Sequence, residues 1–211
     1  MTATAILVPR RSDRGGERDR LWQHCEQLWR ARHPEWPIHE GHHETGPFNR
    51  SRAINLAAAA AAKAGPHDVY LVIDADVIPD PQAVRAAVET AEQTGRMVVA
   101  HDERIMLNAA GTAKVLAGYQ GSWRATQYVE TIWHDSVSCV VAVPVAVFEQ
   151  VRGFDELFVG WGREDTGFRI ACEVAAGPIL RVSGETFHLY HEPAPGVDQK
   201  SQTRRRNERR H

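Results

Sequence analysis

The chain has 211 residues, 43% of them hydrophobic and 25% charged, with a formal net charge of −2. That is enough for one domain with a sizeable core, and the balance is ordinary for a soluble globular protein. No apolar run is long enough to span a bilayer, and MTATAILVPRR is too short an apolar stretch, with no basic region before it, to serve as a secretory signal.

The elements alternate from the start. ATAILVP (3–9) predicts a strand closed by Pro9, followed by the turn-rich RRSDRGG. In residues 17–32, Leu21, Trp22, Cys25, Leu28 and Trp29 recur with the period of an amphipathic helix. WPIHEG predicts a second short strand. SRAINLAAAAAAKA (51–64) predicts a helix with Ser51 as N-cap and Gly65 as its stop, its alanines suited to close packing on a sheet. DVYLVID predicts a strand, PQAVRAAVETAEQTG a helix with Pro81 near its start, and RMVVAH another strand. Further on, CVVAVPVAVFEQV predicts a strand running into a short helix, GFDELFVGWGRED a loop, TGFRIACEVAA a helix, and LRVSGETFHLYHEP a closing strand with two histidines.

This alternation predicts an α/β fold with a mostly parallel sheet, whose ligands sit at the carboxyl ends of the strands. Residues 1–198 form a single domain on this reading, alternating regularly to about residue 100 and less so beyond it. Cys25, Cys139 and Cys172 are odd in number and far apart, as expected of free buried thiols in a reducing compartment. Residues 199–211 carry Lys200 and five arginines against Glu208 alone. Such a basic tail reads first as a solvated end, with phosphate binding as the alternative.

Two stretches carry chemistry. In YLVIDADVIPDP, Asp74 and Asp76 close an apolar run; on an extended backbone both carboxylates would share a face. Two like charges that close need a partner, and a divalent cation bound through oxygen is the usual one. In GFDELFVGWGREDTGF, Trp161 stands between Gly160 and Gly162, just before Glu164 and Asp165. An acidic pair at a helix start is also what the helix dipole favours, so composition alone leaves its role open.

GFDELFVGWGRED resembles the C-terminal signature of the β-1,4-galactosyltransferase family and its relatives among the GT-A-fold glycosyltransferases. FNRSRAINLA (48–57), Asp74-Ala75-Asp76, TFHLYHEP and VPRR (8–11) are similar, in order, to further blocks of that family, so the resemblance spans residues 5–193. It implies a GT-A fold, with a nucleotide-binding half to about residue 100 and an acceptor-side half from 101 to 198, and an inverting, metal-dependent transfer from a nucleoside-diphosphate sugar, with UDP the expected nucleotide. Asp76 would hold Mn²⁺ or Mg²⁺, Asp74 would contact ribose or the metal through water, and His191 would be the further metal ligand. His188, expected on the opposite face of a strand, would be a core or acceptor-side residue. Pro9, Arg10 or Arg11, Phe48, Arg50 and Ala75 would line the donor site. Trp161 and Gly162 would meet the acceptor, Glu164 would hydrogen-bond the sugars, and Asp165 would be the general base.

Two departures from the family pattern stand out. Thr166 replaces a further acid, and Ser138-Cys139 takes the place of a Gly-Gly donor-pocket segment, so galactose is not implied as the donor sugar. The family's secretory members have membrane anchors and disulfides, so the resemblance here points to a soluble cytoplasmic protein of bacterial or phage type. The acceptor would be a saccharide, a protein or a modified nucleic acid, and the basic tail a lid over the diphosphate. Two other classes fit the pattern less well. A nucleotidylyltransferase would want a lysine near the first strand, which RRSDRGGER lacks. A silent sugar-binding module would have no use for intact Asp76, Asp165 and His191.

Overall fold

The structure, a computed structural model, describes residues 2–119, 121–160 and 162–192. A six-stranded sheet forms its centre, in the order β2 (Ile38–His42), β1 (Thr4–Arg10), β3 (Val69–Ile73), β8 (Val140–Pro144), β5 (Val98–Val99), β9 (Leu180–Arg181). Strand β8 runs antiparallel to both its neighbours, while the other pairs are parallel. Five of the six strands therefore point the same way, and the sheet is mostly parallel, as the sequence pattern predicts, with β8 alone reversed. Pattern cannot detect the reversal, because a strand buried on both faces is an apolar run in either direction.

Alternation along the strands divides the core into two layers. Ile6, Val8, Leu71, Ile73 and Val140 face α1 (Glu17–Arg32) and α3 (Pro81–Thr94). Leu7, Tyr70, Val72, Val141 and Val143 face α2 (Arg50–Ala64), α5 (Val145–Gln150) and α6 (Glu164–Ala176). The alanines of α2 serve this packing: Ala53, Ala57, Ala58 and Ala61 are buried, and a Cβ on Gly41 of β2 would lie 1.7 Å from the Ala53 carbonyl oxygen. Glycine is required there by contact. The N-cap of α2 is Asn49, not Ser51; its side chain accepts from the Arg52 amide, and Ser51 is buried. Asp80 caps α3 with Pro81 in the first turn, and Gly95 closes it at φ +67°.

A second sheet, β4 (Val77–Pro79), β10 (Glu185–His188), β6 (Glu103–Leu107) and β7 (Val129–His134), lies beside the first. Helix α4 (Ala109–Leu116) and a 3-10 turn at Thr126–Tyr128 connect β6 to β7. Sequence pattern does not reveal this sheet, because its strands are short and pair across long separations. It matters because β10 lies antiparallel to β4 with His188 opposite Val77, bringing His188 against the residue after Asp76. All three cysteines are free and buried.

Candidate functional site

The carboxyl edge of the central sheet gathers the chemistry. Strand β3 ends at Ile73, and the chain turns through Asp74–Asp76 before β4 begins. Because the backbone turns here, the two aspartates part company. The sequence expectation of a shared carboxylate face is corrected: Asp74 goes to Arg50 and Asp76 goes to the histidines.

Asp76 Oδ2 lies 3.0 Å from His191 Nε2, and Oδ1 lies 3.5 Å from His188 Nε2. One ligand atom from each of the three residues falls within a 4.8 Å cluster. His188 therefore belongs with His191, contrary to its expected place on an opposite face. Strand β10 stops at His188, and the Leu189 amide bonds the Asp76 carbonyl at 2.9 Å. Strand alternation does not extend past that point, so both rings reach the same carboxylate.

Asp76 Oδ1 is buried and has no hydrogen-bond partner. Burial works to raise the Asp76 pKa, but His188, His191 and Arg18 hold it well below the usual carboxylate range. Burial likewise opposes charging His191, yet Asp76 leaves its pKa raised overall. A buried carboxylate with one oxygen free of hydrogen bonds and an imidazole nitrogen beside each oxygen is a donor set that fits a divalent cation. Sequence reasoning missed Arg18, which reaches across from the first turn of α1 to His191 Nδ1 at 3.0 Å and the Glu192 carbonyl at 3.1 Å. No local pattern signals a contact spanning that much chain.

Arg50, in the first turn of α2, organises the second cluster. Its Nη2 is 2.7 Å from Asp74 Oδ1, and its Nη1 is 2.6 Å from Asp165 Oδ1 and 3.9 Å from Glu164 Oε1. Asp165 and Glu164 open α6, behind Gly162 at φ +102° and Arg163 at φ +77°. Burial raises the Asp165 pKa most strongly; Arg50 opposes this, Glu164 and Asp74 add to it, and the result is about 7. Glu164 is buried, and its Oε2 has no hydrogen-bond partner. Arg50 also links the two clusters, since it joins Asp165 to the turn that carries Asp76.

The remaining expected residues divide. Arg10 is held by Asp19 at 2.6 Å and Glu40 at 3.2 Å, so it braces β1, α1 and β2. Arg11 bonds the His43 and Gly46 carbonyls at 2.6 and 2.8 Å, and its guanidinium lies 5.5 Å from the Phe48 ring centre. Pro9 sits in β1 opposite Gly41, and Ala75 packs on the core within the turn. The Gly160 amide bonds the Phe48 carbonyl at 2.8 Å, tying the expected donor loop to the glycine-rich loop. Asn49 Nδ2 bonds the Glu156 carbonyl at 2.7 Å; Asn55 bonds the Phe154 carbonyl and amide, each at 2.9 Å. Trp161 and the basic tail lie outside the described residues.

A family described as the N-terminal domain of galactosyltransferase matches residues 126–192. Human β-1,4-galactosyltransferase 4 is 26% identical over 178 residues, covering 84% of this chain but only 44% of that protein, so the chain spans less than half the length of this relative. The catalytic domain of Drosophila β-1,4-galactosyltransferase 7, solved with xylobiose, superposes with a TM-score of 0.65 at 17% identity, covering 100% of this chain and 81% of that one. A mutant of the same Drosophila enzyme, with manganese, UDP-Gal and xylobiose, gives 0.60 at 18% identity, with 97% and 80% covered. Glucosyl-3-phosphoglycerate synthase from Mycobacterium tuberculosis, with Mn²⁺, UDP-Glc and phosphoglyceric acid, gives 0.51 at 15% identity, with 92% and 73% covered. The chain has the fold of the GT-A glycosyltransferases and resembles the β-1,4-galactosyltransferases in sequence.

Proposed function

We propose that this chain transfers a sugar, with inversion, from a nucleoside-diphosphate sugar to an acceptor hydroxyl, with UDP as the nucleotide. The observation that carries this reading is the pairing of the two clusters: a buried carboxylate flanked by two histidines, one of its oxygens making no hydrogen bond, and Arg50 joining that turn to Asp165. Residues 1–198 serve as one catalytic domain on this reading. The nucleotide and the metal of the structural relatives support the choice of UDP and Mn²⁺.

Asp76, His188 and His191 would hold the divalent ion, which when bound supplies a Lewis acid for charge developing on the departing diphosphate. Asp165 accepts the proton of the acceptor hydroxyl as the new glycosidic bond forms. A base with a pKa near neutrality combines the right protonation state with useful basicity. Because the base acts on the acceptor and not on the anomeric carbon, a single displacement results, and it inverts. Arg50 positions Asp165 and neutralises Asp74, so the cleft does not gather three uncompensated carboxylates. Glu164, whose buried Oε2 makes no hydrogen bond, would accept one from a sugar hydroxyl. Arg11 with Phe48 would flank the base and ribose, and Trp161 would stack on the acceptor.

The test is product analysis across a panel of nucleoside-diphosphate sugars with Mn²⁺. Release of the nucleoside diphosphate supports the reading. Release of pyrophosphate or monophosphate indicates nucleotidyl transfer instead, and binding without release indicates a silent module. Among the described residues no helix is long and apolar enough to cross a membrane.

A further inference from the structure

Beyond the two clusters, the same sheet edge holds a third group of side chains. Arg104, on β6, donates from Nη1 to Ser138 Oγ at 2.9 Å and to Cys139 Sγ at 3.3 Å, and its guanidinium lies 5.0 Å from the Trp133 ring centre. Its Nε is buried and has no partner. Among the described residues no carboxylate pairs with it, and the aspartates nearest in the electrostatic sense, Asp74 and Asp165, are held by Arg50. Arg104 is half-buried, and a charged donor withdrawn from water is ordinarily matched by an anion.

His101, after the end of β5, has no exposed surface, and both its ring nitrogens lack partners. Burial, then Arg181 and Arg104, push its pKa down to about 4, so the ring is neutral and offers one N–H. Arg181 bonds the His101 and Ser136 carbonyls at 2.7 and 2.9 Å and fixes this corner of the edge. Cys139 adopts φ +74° and is buried, and its carbonyl accepts the Asp74 amide at 2.9 Å, so the Arg104 partners abut the turn of the donor site.

We infer that Arg104, backed by His101, forms an anion-recognition site in the donor-sugar pocket, built for the carboxylate of a nucleoside-diphosphate hexuronate. This rests on the glycosyltransferase reading and deepens it. Position favours a sugar carboxylate over the diphosphate. Arg104 bonds Cys139, whose carbonyl accepts the Asp74 amide on the Arg50 side of the turn, whereas the guanidinium beside the Asp76 cluster is that of Arg18, 3.0 Å from His191 Nδ1. A guanidinium presents the planar fork that a carboxylate accepts in two parallel hydrogen bonds.

The experiment is calorimetric titration of the full chain with Mn²⁺ and, separately, UDP, UDP-glucose and UDP-glucuronate, on wild type, Arg104→Met and Arg104→Lys. Wild type should bind UDP-glucuronate about tenfold more tightly than UDP-glucose, on the scale of a charge-assisted pair. Arg104→Met should abolish that preference, and Arg104→Lys should keep part of it. Equal wild-type affinity for the two sugars overturns the assignment, and needs no variant to fold. Equal losses for UDP and UDP-glucuronate in Arg104→Met also overturn it, placing the guanidinium on the diphosphate. If none of the three ligands binds, the glycosyltransferase reading falls and this inference with it. UDP-glucose binding without uronate preference sinks this inference alone.

Discussion

Asp165 lies one hydrogen bond from Arg50, with its pKa lifted to about 7. As the base it must be deprotonated to act, so kcat/KM should climb from pH 5 to about 7 and level off above. Asp165→Asn should lower turnover by roughly 10²–10⁴-fold while donor affinity, read by calorimetry, stays put. Unchanged turnover would remove the residue from the role. Arg50→Met leaves Asp74 and Asp165 in a partly buried cleft with no cation between them. It should cost about 3 kcal/mol in denaturant unfolding and move the acidic limb of the rate profile to higher pH. At this scale the sequence marks Asp76, Glu164, Asp165 and His191 through their motifs. It does not reveal that Asp74 and Asp76 face apart, because β3 stops at Ile73 and the chain turns through 74–76, where an extended reading carries on. Arg18 and Arg104 carry no motif at all; their meaning comes from contacts made across the fold.

Helix α2 is the element on which both clusters depend, since Arg50 projects from its first turn and its alanines seat it against β2. Gly41→Ala would place a methyl group inside the Ala53 carbonyl, so the helix must move. The expected cost is about 1–3 kcal/mol in thermal unfolding, with a matching loss of activity as Arg50 shifts. Asn55→Ala frees the Phe154 amide and carbonyl that brace the glycine-rich loop. Leaving those groups unpaired should cost about 1–3 kcal/mol, and the acceptor KM should rise. An unchanged melting temperature for Gly41→Ala would show that the close packing is not needed. Helices α1, α2 and α3 and strands β1 and β3 are legible in the chain, because their periodicity and stop signals are local. The second sheet is not. The closing strand is signalled by LRVSGETFHLYHEP, but the other strands, three to six residues long, leave no periodic trace, and β10 acquires its meaning only beside β4, about a hundred residues away.

At the scale of the whole molecule, two distant segments converge on one edge of the central sheet, and the functional proposal needs that convergence. Without metal, the Asp76 pKa is depressed and that of His191 raised. The stability from Asp76 is present above about pH 4 and fades as pH falls through its folded value. That from His191 is full below about pH 6.5 and fades as pH rises through its folded value. A bound ion needs the imidazoles neutral, so Mn²⁺ affinity should rise between pH 6 and 8. The most direct test of the central claim is Mn²⁺ binding, followed by paramagnetic resonance with UDP present, in wild type, His188→Ala, His191→Ala and Asp76→Asn. The account predicts one ion per chain in wild type and an affinity loss of about tenfold or more in each variant. Wild-type affinity retained in His188→Ala, or no ion bound by the intact chain, would contradict it.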